Sequence, residues 1–201
     1  MNQTIDEENI PADPFQQFTL WLRDAQGAKL PQYEAMALAT ATKEGIPSVR
    51  MVLYKGLERE KIIFFTNYLS RKAHEIETNP HGALLFHWAV LERQIRIEGS
   101  IKRLSRQTSK KYFATRPRAS QLGAWASKQS SVLESRKMLE QEFQHYEKKY
   151  EGKNIPLPEY WGGYCLLPSA FEFWQGKPGR LHDRIRYLKC NSYWCIERLA
   201  P

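Results

Sequence analysis

Ala35-Met36-Ala37-Leu38-Ala39-Thr40-Ala41-Thr42 is an apolar run that stops at Lys43-Glu44-Gly45, and Ser48-Val49-Arg50-Met51-Val52-Leu53-Tyr54-Lys55 follows as a run rich in β-formers. Two such runs around a glycine-containing turn predict a β-hairpin. Lys61-Ile62-Ile63-Phe64-Phe65-Thr66 adds a third strand, and residues 83–88 and 93–104 a fourth and a fifth. Strands this closely spaced, joined by short turns, predict an antiparallel sheet closing toward a barrel.

Outward from that sheet the periodicity becomes helical. Phe15, Phe18 and Leu20-Trp21-Leu22 mark an amphipathic helix that Gly27 stops. Ser70 is placed to cap a helix over residues 71–78, and Ser105 one over residues 106–115. The second must break at Arg116, because Pro117 disfavours helical geometry in the residue before it. Residues 117–127 read as a further helix, and Ser131 with Glu134 forms a capping box for a long helix to Tyr150. Residues 163–174, 184–190 and 193–199 are three more strands, the last two joined at Asn191-Ser192. The expected class is mainly β with α (α+β): an antiparallel barrel with peripheral helices. Residues 1–14, with Pro11 and Pro14, read as a flexible arm, and residues 15–201 as a single domain.

Bulk properties exclude several classes. With 201 residues, 42% hydrophobic and 26% charged, the chain has enough apolar material for a core and is not a disordered or fibrous polymer. Its longest apolar run, residues 83–91, contains His87 and falls far short of the ~20 residues that span a bilayer. The N-terminus is polar and acidic, unlike a signal peptide, so a cytoplasmic protein with no membrane partner is expected. Three cysteines, Cys165, Cys190 and Cys195, lack Cys-x-x-Cys spacing and are odd in number, which predicts free thiols on strands and neither a disulfide framework nor a metal site. The net charge is +8, and residues 93–118 hold nine cations against one acid, Glu98. Such a patch suits nucleic acid, an anionic surface or a phosphorylated ligand.

Position separates these choices. Arg71 and Lys72 occupy the first turn of a helix, where the macrodipole disfavours cations by ~0.3–1 kcal/mol each. Either an anion lies among them, held also by free amides, or the helix end is simply solvated. Arg50 and Lys55 flank an apolar strand at an odd separation, so they serve different ligand groups or a bulge realigns them. Tyr112, Arg116 and Ser120 are phosphate donors spaced four and four across the Pro117 break. Gln94, Gln129 and Ser130 add neutral donors suited to a planar heterocycle. Trp174-Gln175-Gly176-Lys177-Pro178-Gly179-Arg180-Leu181-His182-Asp183-Arg184 packs an indole, two arginines, a histidine and an aspartate into a glycine- and proline-shaped loop. By itself that loop reads equally as a basic turn.

Taken in order, Arg50 to Lys55, Phe65-Thr66, Ser70-Arg71-Lys72-Ala73-His74, Leu91-Glu92-Arg93-Gln94, Tyr112-Phe113 with Arg116-Pro117, Ser127-Lys128-Gln129-Ser130-Ser131, Trp161-Gly162-Gly163, Glu172-Phe173-Trp174-Gln175-Gly176, Arg180-Leu181-His182-Asp183-Arg184 and Arg198-Leu199-Ala200-Pro201 resemble the pyridoxine (pyridoxamine) 5′-phosphate oxidase family. The resemblance runs from about Pro11 to Pro201 and implies a split β-barrel that forms a homodimer with FMN between subunits. It implies FMN contacts at Arg50, Met51, Val52, Leu53, Lys55, Phe65, Thr66, Arg71, Lys72, Gln94, Gln129, Ser130, Trp174 and Arg184. Substrate contacts would be Lys55, Tyr112, Arg116 and Ser120 at the substrate phosphate, with Arg180, Leu181 and His182 at its ring; Arg180 and His182 would be the catalytic pair. The implied reaction moves a hydride from the substrate C4′ to the flavin, yields pyridoxal 5′-phosphate and reduces O2 to H2O2. Family members often carry an Arg-x-x-Tyr element in a longer N-terminal arm, and none precedes Pro11 here. A nucleic-acid module gives no reason for the loop at residues 174–184. A flavin-binding split barrel with another substrate or a storage role would have no need of Tyr112, Arg116, Ser120, Arg180 and His182 together.

Overall fold

The computed structural model describes residues 5–201. The strands are β1 (Ala35–Ala41), β2 (Pro47–Leu53), β3 (Leu57–Glu58), β4 (Lys61–Asn67), β5 (His81–Trp88), β6 (Arg93–Arg103), β7 (Trp161–Gln175), β8 (Asp183–Cys190) and β9 (Tyr193–Arg198). The helices are α1 (Pro14–Gly27), α2 (Arg71–Thr78), α3 (Arg106–Thr115), α4 (Arg118–Ala126) and α5 (Arg136–Lys149). Every strand pairing is antiparallel.

The order is β2-β1-β5-β6-β7-β4-β3, with β8 and β9 added beside β7. β7 makes this possible because it is long. Its first residues pair with β4, its last with β8, and its other edge follows β6 throughout. The sheet therefore forks, and it is an open split barrel rather than a closed one. Just beyond the end of β2 the chain is tied to β4, where the Lys55 amide donates to the Ile63 carbonyl and the Ile63 amide to that of Gly56. A register shift in β6 falls between Glu98 and Gly99. A Cβ at Gly99 would lie 2.0 Å from the Leu167 carbonyl oxygen, so the bend requires glycine.

The core follows from alternation. Met36, Leu38 and Thr40 of β1 point inward, and Ile95 and Ile97 of β6 are fully buried. α1 covers them: Asp13 caps its start by accepting from the Phe15 amide, and Phe15, Phe18, Trp21 and Ala25 form the buried stripe. Edge-to-face contacts of Phe15 with Phe171, Phe18 with Phe86 and Trp21 with Phe173 lie at 5.1–5.4 Å. Burying each such ring contributes roughly 1.5–3 kcal/mol. A smaller core of Phe113, Leu122, Tyr150, Ile155 and Trp161 lies under α3, α4 and α5.

Four expectations change. Residues 5–13 pack rather than hang free: Ile5 and Ile10 are buried, Pro11 accepts from the Tyr187 hydroxyl, and Glu7 pairs with Arg198 at 2.7 Å. Residues 1–4 of the expected arm lie outside the described residues. The long helix starts at Arg136, capped by Ser135, because Ser135 rather than Ser131 reaches a free amide, that of Met138. Ser70 precedes α2 as expected, but its hydroxyl donates to the Asn67 carbonyl and caps nothing. Finally, Cys190 and Cys195 form a disulfide across the β8–β9 hairpin, whose tight turn brings the strands side by side; Cys165 is the free, buried thiol. Among the described residues no helix is long and apolar enough to cross a membrane.

Candidate active site

The opening between β2 and β4 is a cleft of about 1010 Å³, walled on its other side by α3 and α4. Arg50, Met51, Val52, Leu53 and Lys55 line it from the β2 side, Phe65 and Thr66 from β4, and Arg71 and Lys72 from the start of α2. Tyr112, Arg116 and Ser120 line the helical wall, and Gln129 and Ser130 come from the loop before α5. β2 pairs with β1 without a register shift and ends at Leu53. Lys55 is thus past the strand, where the chain crosses to β4, and no bulge is needed for it to share the cleft with Arg50. Cleft residues not named as ligand contacts from the sequence include Ser48, Asn67, Ser127 and Trp161, the last two lying within its motifs. The ring of Phe65 stacks on Tyr112, 3.9 Å away, and both lie near-parallel to Trp161, 5.4 Å from Phe65.

Below the cleft floor lies a network that the sequence did not disclose. Glu75 is buried, with one oxygen against Arg71 Nε at 2.8 Å and the other accepting from Thr40, Ser48 and Arg50. Burial alone would raise its pKa, but hydrogen bonds from Ser48, Thr40 and Arg71 and the charge of Arg50 hold it at about 2. Lys72 is buried beside it, with Nζ 2.9 Å from Gln129 Oε1 and 3.2 Å from the hydroxyls of Thr66 and Ser70. Burial first, and Arg50 second, push Lys72 down to about 8, with Glu75 opposing. A buried ammonium held this way, at a helix start whose first amides have no intrahelical acceptor, suits an oxyanion.

The Pro117 break converges the second cationic set as its geometry allows. α3 ends at Thr115, Arg116 is extended, and α4 starts at Arg118. Arg116 lies 4.6 Å over the Trp161 ring, and its buried Nη1 has no hydrogen-bond partner. Burial lowers its pKa, with Tyr112 opposing. An unpartnered buried guanidinium nitrogen in a cleft is a place for a ligand oxygen. Across the β2 side, Lys55 pairs with Glu34 at 3.1 Å.

Gln94, Trp174, Arg180, Leu181, His182 and Arg184 do not line this cleft. They form a second cluster. Gln94 faces Trp174 and Trp174 faces Arg184 across three adjacent strands, so these side chains share one sheet face. The His182 ring lies 4.7 Å from that of Trp174, and its Nδ1 accepts from the Lys177 amide at 3.1 Å. Arg184 is fixed by Glu172 at 2.8 Å and by the Ala200 carbonyl. Gly179 and Arg180 both adopt positive φ, 68° and 63°, which turns the loop outward; Leu181 is exposed. Trp174 lies thirteen residues along β7 from Trp161 and four strands across the sheet from Met51, so the cluster is set apart from the cleft on this chain. The same sheet face carries Met51, Ala37, Leu85 and His87 in register, and Val49, Met51 and Leu53 project from it 68%, 64% and 44% exposed.

The basic stretch at residues 93–118 does not form a continuous surface. Arg93 is buried against Asp24, Gln175 and the Trp21 ring. Arg96 pairs with Glu98 and Glu172, and Arg103 with Glu77. Arg106 and Arg118 donate to main-chain carbonyls. Most of these cations hold the fold, which removes the reason to expect a nucleic-acid face.

Known proteins agree with this architecture. A family model described as pyridoxamine 5′-phosphate oxidase matches residues 22–150, and one described as the pyridoxine 5′-phosphate oxidase C-terminal dimerisation region matches residues 161–201. A pyridoxine/pyridoxamine 5′-phosphate oxidase of Burkholderia vietnamiensis is 49% identical over 98% of this chain and 94% of its own length. One from Crocosphaera subtropica is 50% identical over 98% and 94%. Among solved structures, PhzG from Burkholderia lata, in complex with tetrahydrophenazine-1-carboxylic acid, superposes with a TM-score of 0.93 at 29% identity, covering 99% of this chain and 98% of PhzG. An FMN-binding protein from Nostoc punctiforme shares the fold, with a TM-score of 0.74 at 16% identity over 96% of this chain and 100% of its own. With both halves matched in order, and relatives identical at about half of all positions over nearly the full length, the chain belongs to the pyridoxamine 5′-phosphate oxidase family.

Proposed function

We propose that this protein is an FMN-dependent oxidase that converts pyridoxine 5′-phosphate and pyridoxamine 5′-phosphate to pyridoxal 5′-phosphate, reducing O2 to H2O2 and releasing ammonia from the amine. The observation that carries the reading is the presence of two cationic sets in one cleft, Arg50-Arg71-Lys72 on the β2 and α2 side and Tyr112-Arg116-Ser120 on the helical wall. A cofactor phosphate and a substrate phosphate account for both. Arg50, Arg71 and Lys72, with Gln129 and Ser130, hold the FMN phosphate. Met51, Val52, Leu53, Phe65 and Thr66 flank the rest of the cofactor, and Lys55, Tyr112, Arg116 and Ser120 grip the phosphate of the substrate. When bound, FMN supplies the electron acceptor; the protein supplies orientation and electrostatics.

The second cluster completes the site from another copy of the chain. Its sheet face also bears the exposed apolar strip of Val49, Met51 and Leu53, a surface suited to burial against its own copy. In the resulting homodimer Gln94, Trp174 and Arg184 face the flavin, and Arg180, Leu181 and His182 face the substrate ring. His182 has its Nδ1 committed to Lys177, so Nε2 is the ring nitrogen left to orient the substrate or carry a proton.

The likeness to PhzG supports a second reading, oxidation of a different planar substrate. The unpartnered Nη1 of Arg116 favours a phosphorylated one. Aerobic incubation of the FMN-loaded protein with pyridoxine 5′-phosphate tests the choice. Pyridoxal 5′-phosphate and H2O2 in equal amounts support the proposal; a flavin-loaded protein without turnover favours the other substrate.

A further inference from the structure

We infer that Glu75 is a positioning residue that holds Arg50 and Arg71 for a phosphate monoester dianion and sets the charge of their pocket to match it. The inference rests on the reading of the cleft as a flavin phosphate site. Glu75 is a buried carboxylate with four side-chain partners, two of them cations on the cleft wall. Arg71 engages it through Nε alone among the described hydrogen bonds, so both terminal nitrogens remain for a ligand. Arg50 is held more completely, by the Leu38 carbonyl, Thr40, Ser48 and Glu75. Without the carboxylate, three neighbouring cations, Arg50, Arg71 and Lys72, would repel one another at the start of a helix that already disfavours them. With it, the group carries two net positive charges, the complement of a phosphate near neutral pH.

This role has a sign that bulk electrostatics does not share. Removing a negative charge beside an anion site should tighten anion binding by simple Coulomb attraction. Positioning predicts the reverse. The test titrates flavin-free protein with FMN and, separately, with riboflavin, which lacks the phosphate, following flavin fluorescence. Glu75→Gln is expected to weaken FMN by roughly tenfold, the scale of one lost charge-assisted contact, and to leave riboflavin within about twofold. Glu75→Asp keeps the charge but shortens the reach, and is expected to weaken FMN as well; it serves also if the Gln variant fails to fold. Tighter FMN binding by Glu75→Gln, with Glu75→Asp unchanged, would show a bulk charge and overturn the inference. Equal loss of FMN and riboflavin would show a merely structural residue and overturn it too. Wild-type protein that binds riboflavin as tightly as FMN would remove the phosphate site itself, and the inference with it.

Discussion

The guanidinium of Arg116 rests 4.6 Å above the Trp161 ring, and its Nη1 is buried there without a hydrogen-bond partner. The indole holds the cation by its ring face and leaves Nη1 without a partner in a residue that lines the cleft. Arg116→Ala should lower kcat/KM for pyridoxine 5′-phosphate by about tenfold to 150-fold, the ~1.5–3 kcal/mol of a hydrogen bond to a charged group. The loss should appear in KM while FMN content is kept. Steady-state kinetics beside the flavin absorbance of the purified variant check both halves.

Lys72 should make FMN binding pH-dependent. Its folded pKa, about 8 against an ordinary 10.5, means that it loses its proton as pH rises through 8. FMN affinity is therefore expected to fall by up to about tenfold between pH 7 and pH 9, and to be flat over that range in Lys72→Met. Stability of the flavin-free protein runs oppositely: between pH 8 and 10.5 the unfolded chain binds the extra proton, so this group's contribution to stability rises with pH. Fluorescence titrations at both pH values test the first statement, and denaturant unfolding the second.

Gly99 should tolerate no side chain. A Cβ there meets the Leu167 carbonyl oxygen at 2.0 Å and Leu167 C at 2.8 Å, both backbone atoms that cannot swing away. Gly99→Ala is expected to cost about 1–3 kcal/mol or more in urea unfolding. An unchanged midpoint would mean that the bulge is more pliable than it looks.

Oxidised protein should show one thiol after denaturation without reductant and three with it, because Cys190 is joined to Cys195. A loop this short contributes about 2 kcal/mol by chain entropy, so dithiol treatment should lower stability by at most that amount. Thiol titration gives the count directly.

Arg180 and FMN should be separable. Arg180 lies on an outward-turned loop away from the cation network of the cleft. Arg180→Ala is expected to cut turnover at least tenfold while flavin content stays near that of the wild type. Parallel loss of both would refute the assignment of Arg180 to the substrate.

The hairpin at residues 35–55 was legible because period-2 alternation and a glycine turn are local signals, and so was the helix break that Pro117 imposes on Arg116. The Arg71-Lys72 pair stands out in the sequence for the same reason: its oddity lies within one helical turn. Glu75 was hidden because three of its partners, Thr40, Ser48 and Arg50, come from a distant hairpin. Ser131 and Ser135 offer the same capping chemistry, and only the path of the loop decides between them. The Cys190–Cys195 pair depends on a hairpin turn that an odd cysteine count obscures. Residues 5–13 lack periodicity, yet they pack because Tyr187 and Arg198 meet them.

The central claim is that one site is completed by two chains, since the Trp174–Arg184 cluster does not line the cleft of its own chain. Mixing the Arg116→Ala and Arg180→Ala variants, unfolding and refolding them together, tests it most directly. Half of randomly paired dimers would be mixed, and each would hold one unaltered site of two, so activity should return to about a quarter of the wild-type value. A mixture no more active than its two parents would contradict the shared site.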